Sequence, residues 1–343
     1  MSRDKYPDEN TPETNGVVRP LPNPSTGSAN PSASLPALWG YLQPALDHIV
    51  RGPTTNTSKA PAIEVSYHMG VHTAVYNYFT SQADSGLPHA PPSMSGKAVA
   101  DRRHQDVKPS GTDLYEQLDR YYAGTTHEIL LGAPHDDSNL IHYLLPCFQR
   151  YSAGAYSVNR LLNYVNRHYV KRAVDEDKGW LRLADFFDAV AKSLQDNDAR
   201  NVIQRRLREK RVEELKKWGW YEGAPSEVLA RTEASAEAAS SPDRVVPLSS
   251  MALRRFRTEI IMPLLAVPGN KKGGKKKKPP AKGDKAVPRG RLARAVKELL
   301  EGEAHDPDER VKTAGELAVM LRTVGIRADQ PLRKKLDKYA PDT

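Results

Sequence analysis

The sequence predicts an all-α protein whose antiparallel helices stack in bundles or in a short solenoid. Apolar residues recur at intervals of three and four along most of the chain, which is the period of an amphipathic helix. The alternating pattern that would indicate a strand does not occur over a useful length. Helices joined in this way bury their apolar faces against their neighbours in bundles and solenoids.

The first third of the chain is predicted to hold two helices between two polar segments. Residues 1–34 combine six prolines with many Ser, Thr and Asn residues, so they predict a disordered leader. Residues 81–110 are rich in proline and glycine and predict a long polar loop. The helices between them are indicated by the spacing of Leu38, Leu42, Leu46 and Ile49, and of Val65, Met69, His72, Tyr76 and Phe79.

Three further helices are predicted between residues 111 and 170. We expect Asp113 to cap the first of them and Gly132 to close it. The apolar residues that mark them are Leu114, Leu118, Tyr121, Thr125 and Ile129; Leu140, Leu144, Phe148 and Tyr151; and Val158, Leu161, Leu162, Val165 and Tyr169.

The segment 182–247 predicts two helices followed by a linker. The second helix is so rich in Arg, Lys and Glu that most of its surface must face water. The stretch 223–244, dominated by Ala, Glu and Ser, predicts a solvated linker or a frayed helix. The two helices follow Leu183, Phe187, Val190 and Leu194, and then Ile203, Leu207, Val212, Leu215 and Trp218.

Helical spacing returns in 248–340, interrupted by the lysine-rich stretch 266–288. Four helices are indicated there, by Leu253, Phe256, Ile260 and Leu264; by Leu292, Val296 and Leu299; by Leu317, Leu321 and Val324; and by Leu332, Leu336 and Tyr339.

The positive charge of the chain is local. Of the net charge of +9, the stretch 271–285 carries +7, from eight lysines and one aspartate. Its densest part is the run Lys275, Lys276, Lys277 and Lys278. Such a run is typical of a nuclear import signal, of a nonspecific contact to nucleic acid, or of a solvated charged insert.

No catalytic residue, metal ligand set or cofactor motif is predicted. The single cysteine, Cys147, excludes an intrachain disulfide and a cysteine-based zinc site, which favours a reducing compartment. His68 and His72 are one helical turn apart but lack a third ligand. The polar amino terminus and the absence of an apolar run of about 20 residues predict neither a signal peptide nor a membrane span. We therefore expect a non-enzymatic protein of the cytoplasm and nucleus.

Two stretches resemble the amino-terminal repeat of the cullin family. Residues 68–81 read HMGVHTAVYNYFTS, and residues 151–179 read YSAGAYSVNRLLNYVNRHYVKRAVDEDKG. The second resembles the family signature that ends NRHWVKRE-DEG, with Tyr169 in place of Trp and Ala173 in place of Glu. By this resemblance 35–181 forms a first cullin-like repeat, 182–247 is an insertion, and 248–340 is a partial second repeat interrupted by 266–288.

The resemblance implies a non-catalytic scaffold of a ubiquitin ligase, acting in ubiquitin-dependent protein degradation. It implies a Skp1-like adaptor with an F-box receptor as partner, and no RING subunit, because the carboxy-terminal cullin region is not present. The second helix would contribute one stripe to the adaptor site and the fifth helix would contribute the rest; these residues are His68, Met69, His72 and Tyr76, and Asn159, Tyr164 and Arg167. The alternative is a nuclear helical protein that associates with nucleic acid through the lysine run.

Overall fold

All regular secondary structure in the described part of the chain is helical. The computed structural model describes residues 30–85, 110–192, 200–267, 290–302 and 306–339, and no strand occurs in them. This confirms the all-α prediction. The predicted leader 1–34 and the lysine-rich stretch 266–288 fall almost wholly outside these residues.

The first two helices, α1 (Leu35–Arg51) and α2 (Val65–Ser85), lie where the apolar spacing predicts them. The hydroxyl of Ser34 accepts a hydrogen bond from the backbone N–H of Ala37 and so caps α1. α2 runs to Ser85, so the loop predicted over 81–110 begins later than expected, and 86–109 lie outside the described residues.

Helix α3 (Thr112–Leu131) ends at Gly132 as predicted, but Asp113 is not its cap. The capping position belongs to Gly111, whose φ of 89° is in the left-handed region. The carboxylate of Asp113 instead accepts hydrogen bonds from the hydroxyl of Tyr78 and from Nε2 of Gln82, at 3.0 Å for the latter. Asp113 therefore ties α3 to α2.

The second and third helices predicted between residues 111 and 170 prove to be almost continuous. Helix α4 (Leu140–Leu161) passes through the stretch around Gly154 without a break. Gly154 permits a close crossing of two helices, since an added Cβ would lie 3.1 Å from the carbonyl oxygen of Ile49 on α1. The glycine that separates the two apolar patterns in the sequence is thus a packing residue.

Beyond α4 the chain continues through short helical pieces that change pitch. These are α5 (Asn163–Val165), a π-helical turn (Asn166–Val170) and α6 (Lys171–Asp175). π-Helical turns are rare and occur often at functional sites.

Helices α7 (Leu183–Ala191) and α8 (Arg200–Lys216) have little contact with the core. On α7 the predicted apolar face is wrong in part, because Leu183 and Phe187 are 47% and 62% exposed and Val190 alone is buried there. On α8 only Leu215 is buried. This confirms that most of the surface of α8 faces water.

The solvated linker predicted over 223–244 is instead a packed helix, α9 (Ser226–Ala239). Small side chains on one face are buried, and they are Thr232, Ser235, Ala236 and Ala238. The guanidinium of Arg257 donates to the carbonyl oxygens of Ala238 (3.0 Å) and Ser240 (2.9 Å) at the end of α9. Arg254, only 2% exposed, donates to the next turn at Ser241 (3.0 Å). Two cations thus neutralise the partial negative charge of this helix end.

The last helices also follow the predicted spacing. They are α10 (Leu248–Phe256), a π-helical turn (Arg257–Ile261), α11 (Met262–Leu265), α12 (Arg291–Glu301), α13 (Pro307–Thr323) and α14 (Pro331–Tyr339). α11 and α12 meet closely, because an added Cβ on Gly290 would lie 2.5 Å from the carbonyl oxygen of Leu265.

One apolar core extends from α1 to α14, and α10 lies at its centre against α3 and α4. The Tyr151 hydroxyl on α4 donates to the carbonyl oxygen of Ala252 on α10 at 2.9 Å. The rings of Phe148 and Phe256 meet edge to face, with their centroids 5.1 Å apart. Helices assigned by sequence to the two repeats therefore share buried surface.

Candidate protein-docking patch

Helix α2 presents a row of exposed side chains because its opposite face is fully used in the core. The buried side chains are Tyr67, Val71, Ala74, Val75, Tyr78 and Phe79. The predicted stripe lies on the solvent side, where Met69 is 58% and Tyr76 is 47% exposed and where His68 and His72 are also exposed. Exposed large apolar groups in one row are unusual on a monomer and mark interaction surfaces.

Tyr164 on α5 is the centre of this surface. Its half-buried ring meets the rings of His72, Tyr76 and Phe79 edge to face, with centroid separations of 6.1, 5.6 and 5.3 Å. His168, on the π-helical turn, stacks on the same ring at 4.0 Å. We call Met69, His72, Tyr76, Tyr164 and His168 the aromatic patch. It joins α2 to the segment after α4.

The sequence did not single out His168. It follows Tyr164 by four residues, which places the two side chains on the same side of a helical segment. That spacing was the available signal, but the histidine stands in a motif whose residues had no assigned direction. The ring stacking fixes the direction and adds a polar group to the patch.

The ring of Tyr164 remains a neutral hydrogen-bond donor. Burial raises the pKa of the Tyr164 hydroxyl, and the neighbouring Tyr76 raises it further. The guanidinium of Arg167 is exposed on the same π-helical turn and forms no ion pair with another described residue. The patch is therefore apolar and aromatic, with hydroxyl and imidazole groups, and a free cation is carried on the adjoining turn.

Asn159 has a different place from the other predicted site residues. Its Oδ1 accepts a hydrogen bond from Nδ2 of Asn166 at 2.9 Å and one from the backbone N–H of Ser249 at 3.2 Å. Oδ1 of Asn166 accepts from the N–H of Leu248 at 3.1 Å. These are the first N–H groups of α10, which have no partner within the helix. The two asparagines together cap α10.

The remaining chemistry-bearing residues do not form a reaction centre in the described ranges. No group of three His, Cys, Asp or Glu side chains there could hold a metal ion. Burial raises the pKa of the Cys147 thiol, so little of the reactive thiolate exists near neutral pH. Lys275, Lys276, Lys277 and Lys278 lie outside the described residues. None of the described helices has the length and apolarity needed to cross a bilayer.

The fold and the patch define an all-α protein with an exposed aromatic surface of the composition seen at protein interfaces. Cell division control protein 53 of Saccharomyces cerevisiae, a cullin, is 22% identical to this chain over 151 residues. The match covers 43% of this chain and 17% of that protein. The chain thus has a distant and partial similarity to a cullin and matches well under a fifth of that relative's length. No family model matches the chain, and no solved structure matches it.

Proposed function

We propose that this chain is a non-catalytic scaffold that binds an adaptor protein through the aromatic patch. The adaptor would be of the Skp1 type with an F-box receptor, and the process would be ubiquitin-dependent protein degradation. The cluster of rings around Tyr164 is the observation that carries the proposal, because it joins residues of two distant segments on one exposed surface. The distant similarity to a cullin supports the kind of partner.

The energetics of protein recognition agree with this assignment. Aromatic side chains and methionine are enriched at the centres of interfaces, where they bury a large area and lose little rotamer entropy. Tyr164 is already held by Phe79 below it and by His168 beside it, so binding a partner need not order its ring. Met69 is unbranched and polarizable, and it can adapt to the partner's surface.

The proposal is tested by titrating the full chain with a Skp1-like adaptor in a calorimeter. Tyr164→Ala and Met69→Ala should each weaken binding by about 1 to 2 kcal/mol, which is typical of interface anchors. The helical circular dichroism signal should not change, because Met69 is exposed and Tyr164 packs on the outside of the core.

Tyr156→Ala is the matched control. Tyr156 is 48% exposed, much like Tyr76, but it lies on α4 near Arg231 of α9 and outside the patch. Its loss should leave the affinity unchanged. If both patch variants bind as tightly as the unmodified chain, the adaptor does not bind at the patch.

A further inference from the structure

A groove of about 560 Å³ lies between α4 and α13, on helices that do not contribute to the aromatic patch except through their neighbours. The α4 wall consists of Leu145 and Phe148, and the α13 wall is formed by Val311, Gly315 and Val319. Val311 and Val319 are 43% and 42% exposed, although nearby residues of α13 are completely buried. The groove therefore presents apolar surface to solvent.

The three α13 residues form a symmetric ridge. Val311, Gly315 and Val319 are four residues apart, so they share one face of the helix. In an antiparallel pair of two such helices related by a two-fold axis at Gly315, Val311 of each copy would meet Val319 of the other. The glycine at the axis would let the two backbones approach closely.

The charged residues beside the ridge have the same symmetry. Asp308, Lys312 and Glu316 follow one another at intervals of four and alternate in sign. None of them forms an ion pair with another described residue, whereas Asp47 with Arg51 and Lys297 with Glu301 do pair at this spacing. Across the two-fold axis Lys312 of one copy would face Glu316 of the other, twice.

We propose that a second copy of this chain packs antiparallel on α13, with the ridge of each copy in the groove of the other. A two-fold interface has to be complementary to itself, and both the ridge and the alternating charges meet that condition. An unrelated helix would need only the apolar groove and would not require the reciprocal charges. The surface is separate from the aromatic patch, so the proposal goes beyond adaptor binding and does not depend on it.

Charge reversal tests the proposal most sharply. The full chain should be a concentration-dependent dimer in sedimentation velocity at low salt. Lys312→Glu and Glu316→Lys should each weaken self-association by about fivefold or more, because each places like charges opposite one another at two sites. An equimolar mixture of the two variants should regain the dimer, and so should the double variant that carries both reversals.

Two further variants serve as controls. Val319→Arg should give a monomer, because it places a charge in the apolar ridge, while its circular dichroism spectrum should match that of the unmodified chain. Lys171→Glu reverses an exposed lysine on α6 and should not affect self-association. Adaptor affinity should be the same for all four variants, so failure of the dimer is distinguishable from failure of the adaptor site.

The proposal is overturned if the unmodified chain is a monomer at every soluble concentration. Cross-linking that places another segment of the same chain, or a helix of a different protein, in the groove would have the same consequence. A dimer that is equally stable in both single reversals and in their mixture would show that the copies meet at another surface.

Discussion

Asn159 and Tyr164 are five residues apart, and their surroundings assign them to different tasks. Tyr164 lies in an exposed cluster of rings, whereas the amide of Asn159 holds the first turn of α10. We expect Asn159→Ala to lower the free energy of unfolding by about 1 to 2 kcal/mol, the usual cost of a lost helix cap. Urea denaturation measures this effect.

Arg167→Ala provides the comparison, since Arg167 is exposed and makes no ion pair with a described residue. Its free energy of unfolding should stay within about 0.5 kcal/mol of the unmodified chain, as for most surface substitutions. Equal stability of the two variants would mean that the asparagine pair contributes no net capping energy.

Glu237 gives the stability of the protein a pH dependence. Burial between α9 and α10 raises the pKa of its carboxyl from the ordinary 4.5 to about 7; the nearby Glu233 raises it further, while the hydrogen bond from Ser250 and the charge of Arg211 act in the opposite sense. The folded state thus binds this proton more tightly than the unfolded state. Its contribution is complete below pH 4.5 and is lost as the pH rises through about 7.

We expect the loss to amount to at most about 3 kcal/mol, from 1.36 kcal/mol for each unit of pKa difference. Glu237→Gln keeps a neutral side chain of the same size, so its free energy of unfolding should lack this component. Urea denaturation of both proteins between pH 5 and pH 8 measures the difference. A constant difference between them over that range would contradict the prediction.

Single residues also show where sequence reasoning reaches its limit. The exposed stripe on α2 could be predicted, because the helical period separates Met69 and Tyr76 from the residues that pack inward. The capping role of Asn159 could not, because Ser249 is ninety residues away in the sequence and only the tertiary fold brings the two together.

At the level of elements, the lysine-rich segment should contribute little to stability. Its flanks already meet, since Gly290 at the start of α12 lies against Leu265 at the end of α11. Deleting 271–285 leaves ten residues between these two helices' contact points, counting 266–270 and 286–290, which is ample for a short connection. Shortening a flexible loop changes its closure entropy only slowly, so we expect an essentially unchanged melting temperature.

The melting temperature of the deletion variant is measured by calorimetry, and the helical circular dichroism signal is the control for folding. A substantial fall in melting temperature would show that the segment packs on the rest of the protein. Altered nuclear localisation or nucleic-acid retention in the same variant would indicate a functional role for the lysines.

The helix α9 shows why an element can be missed. Its buried face consists of Ala, Ser and Thr, whose small or polar side chains give almost no apolar signal in the sequence. The groups that hold its end, Arg254 and Arg257, belong to α10 and the following turn, where arginines usually indicate solvent exposure. Longer helices with Leu, Ile, Val and Phe at regular spacing were predictable without tertiary information.

At the scale of the whole molecule, we expect a single cooperative unfolding transition. The predicted repeats 35–181 and 248–340 share one apolar core, in which α10 packs on α3 and α4. Helices that share buried surface cannot unfold separately without exposing it. Differential scanning calorimetry should give one peak with equal calorimetric and van't Hoff enthalpies. Two resolved peaks would mean that the repeats are independent units.

The arginines at the end of α9 also bear on the order in which the protein acquires its structure during synthesis. Both follow α9 in the sequence, so the ribosome releases α9 before the groups that complete its last turn. The nascent helix has few large apolar side chains and isolated helices of this length are marginal in water. α9 should therefore become stable only after Arg257 has left the exit tunnel, and a chain arrested before that residue would carry an unprotected segment open to proteases.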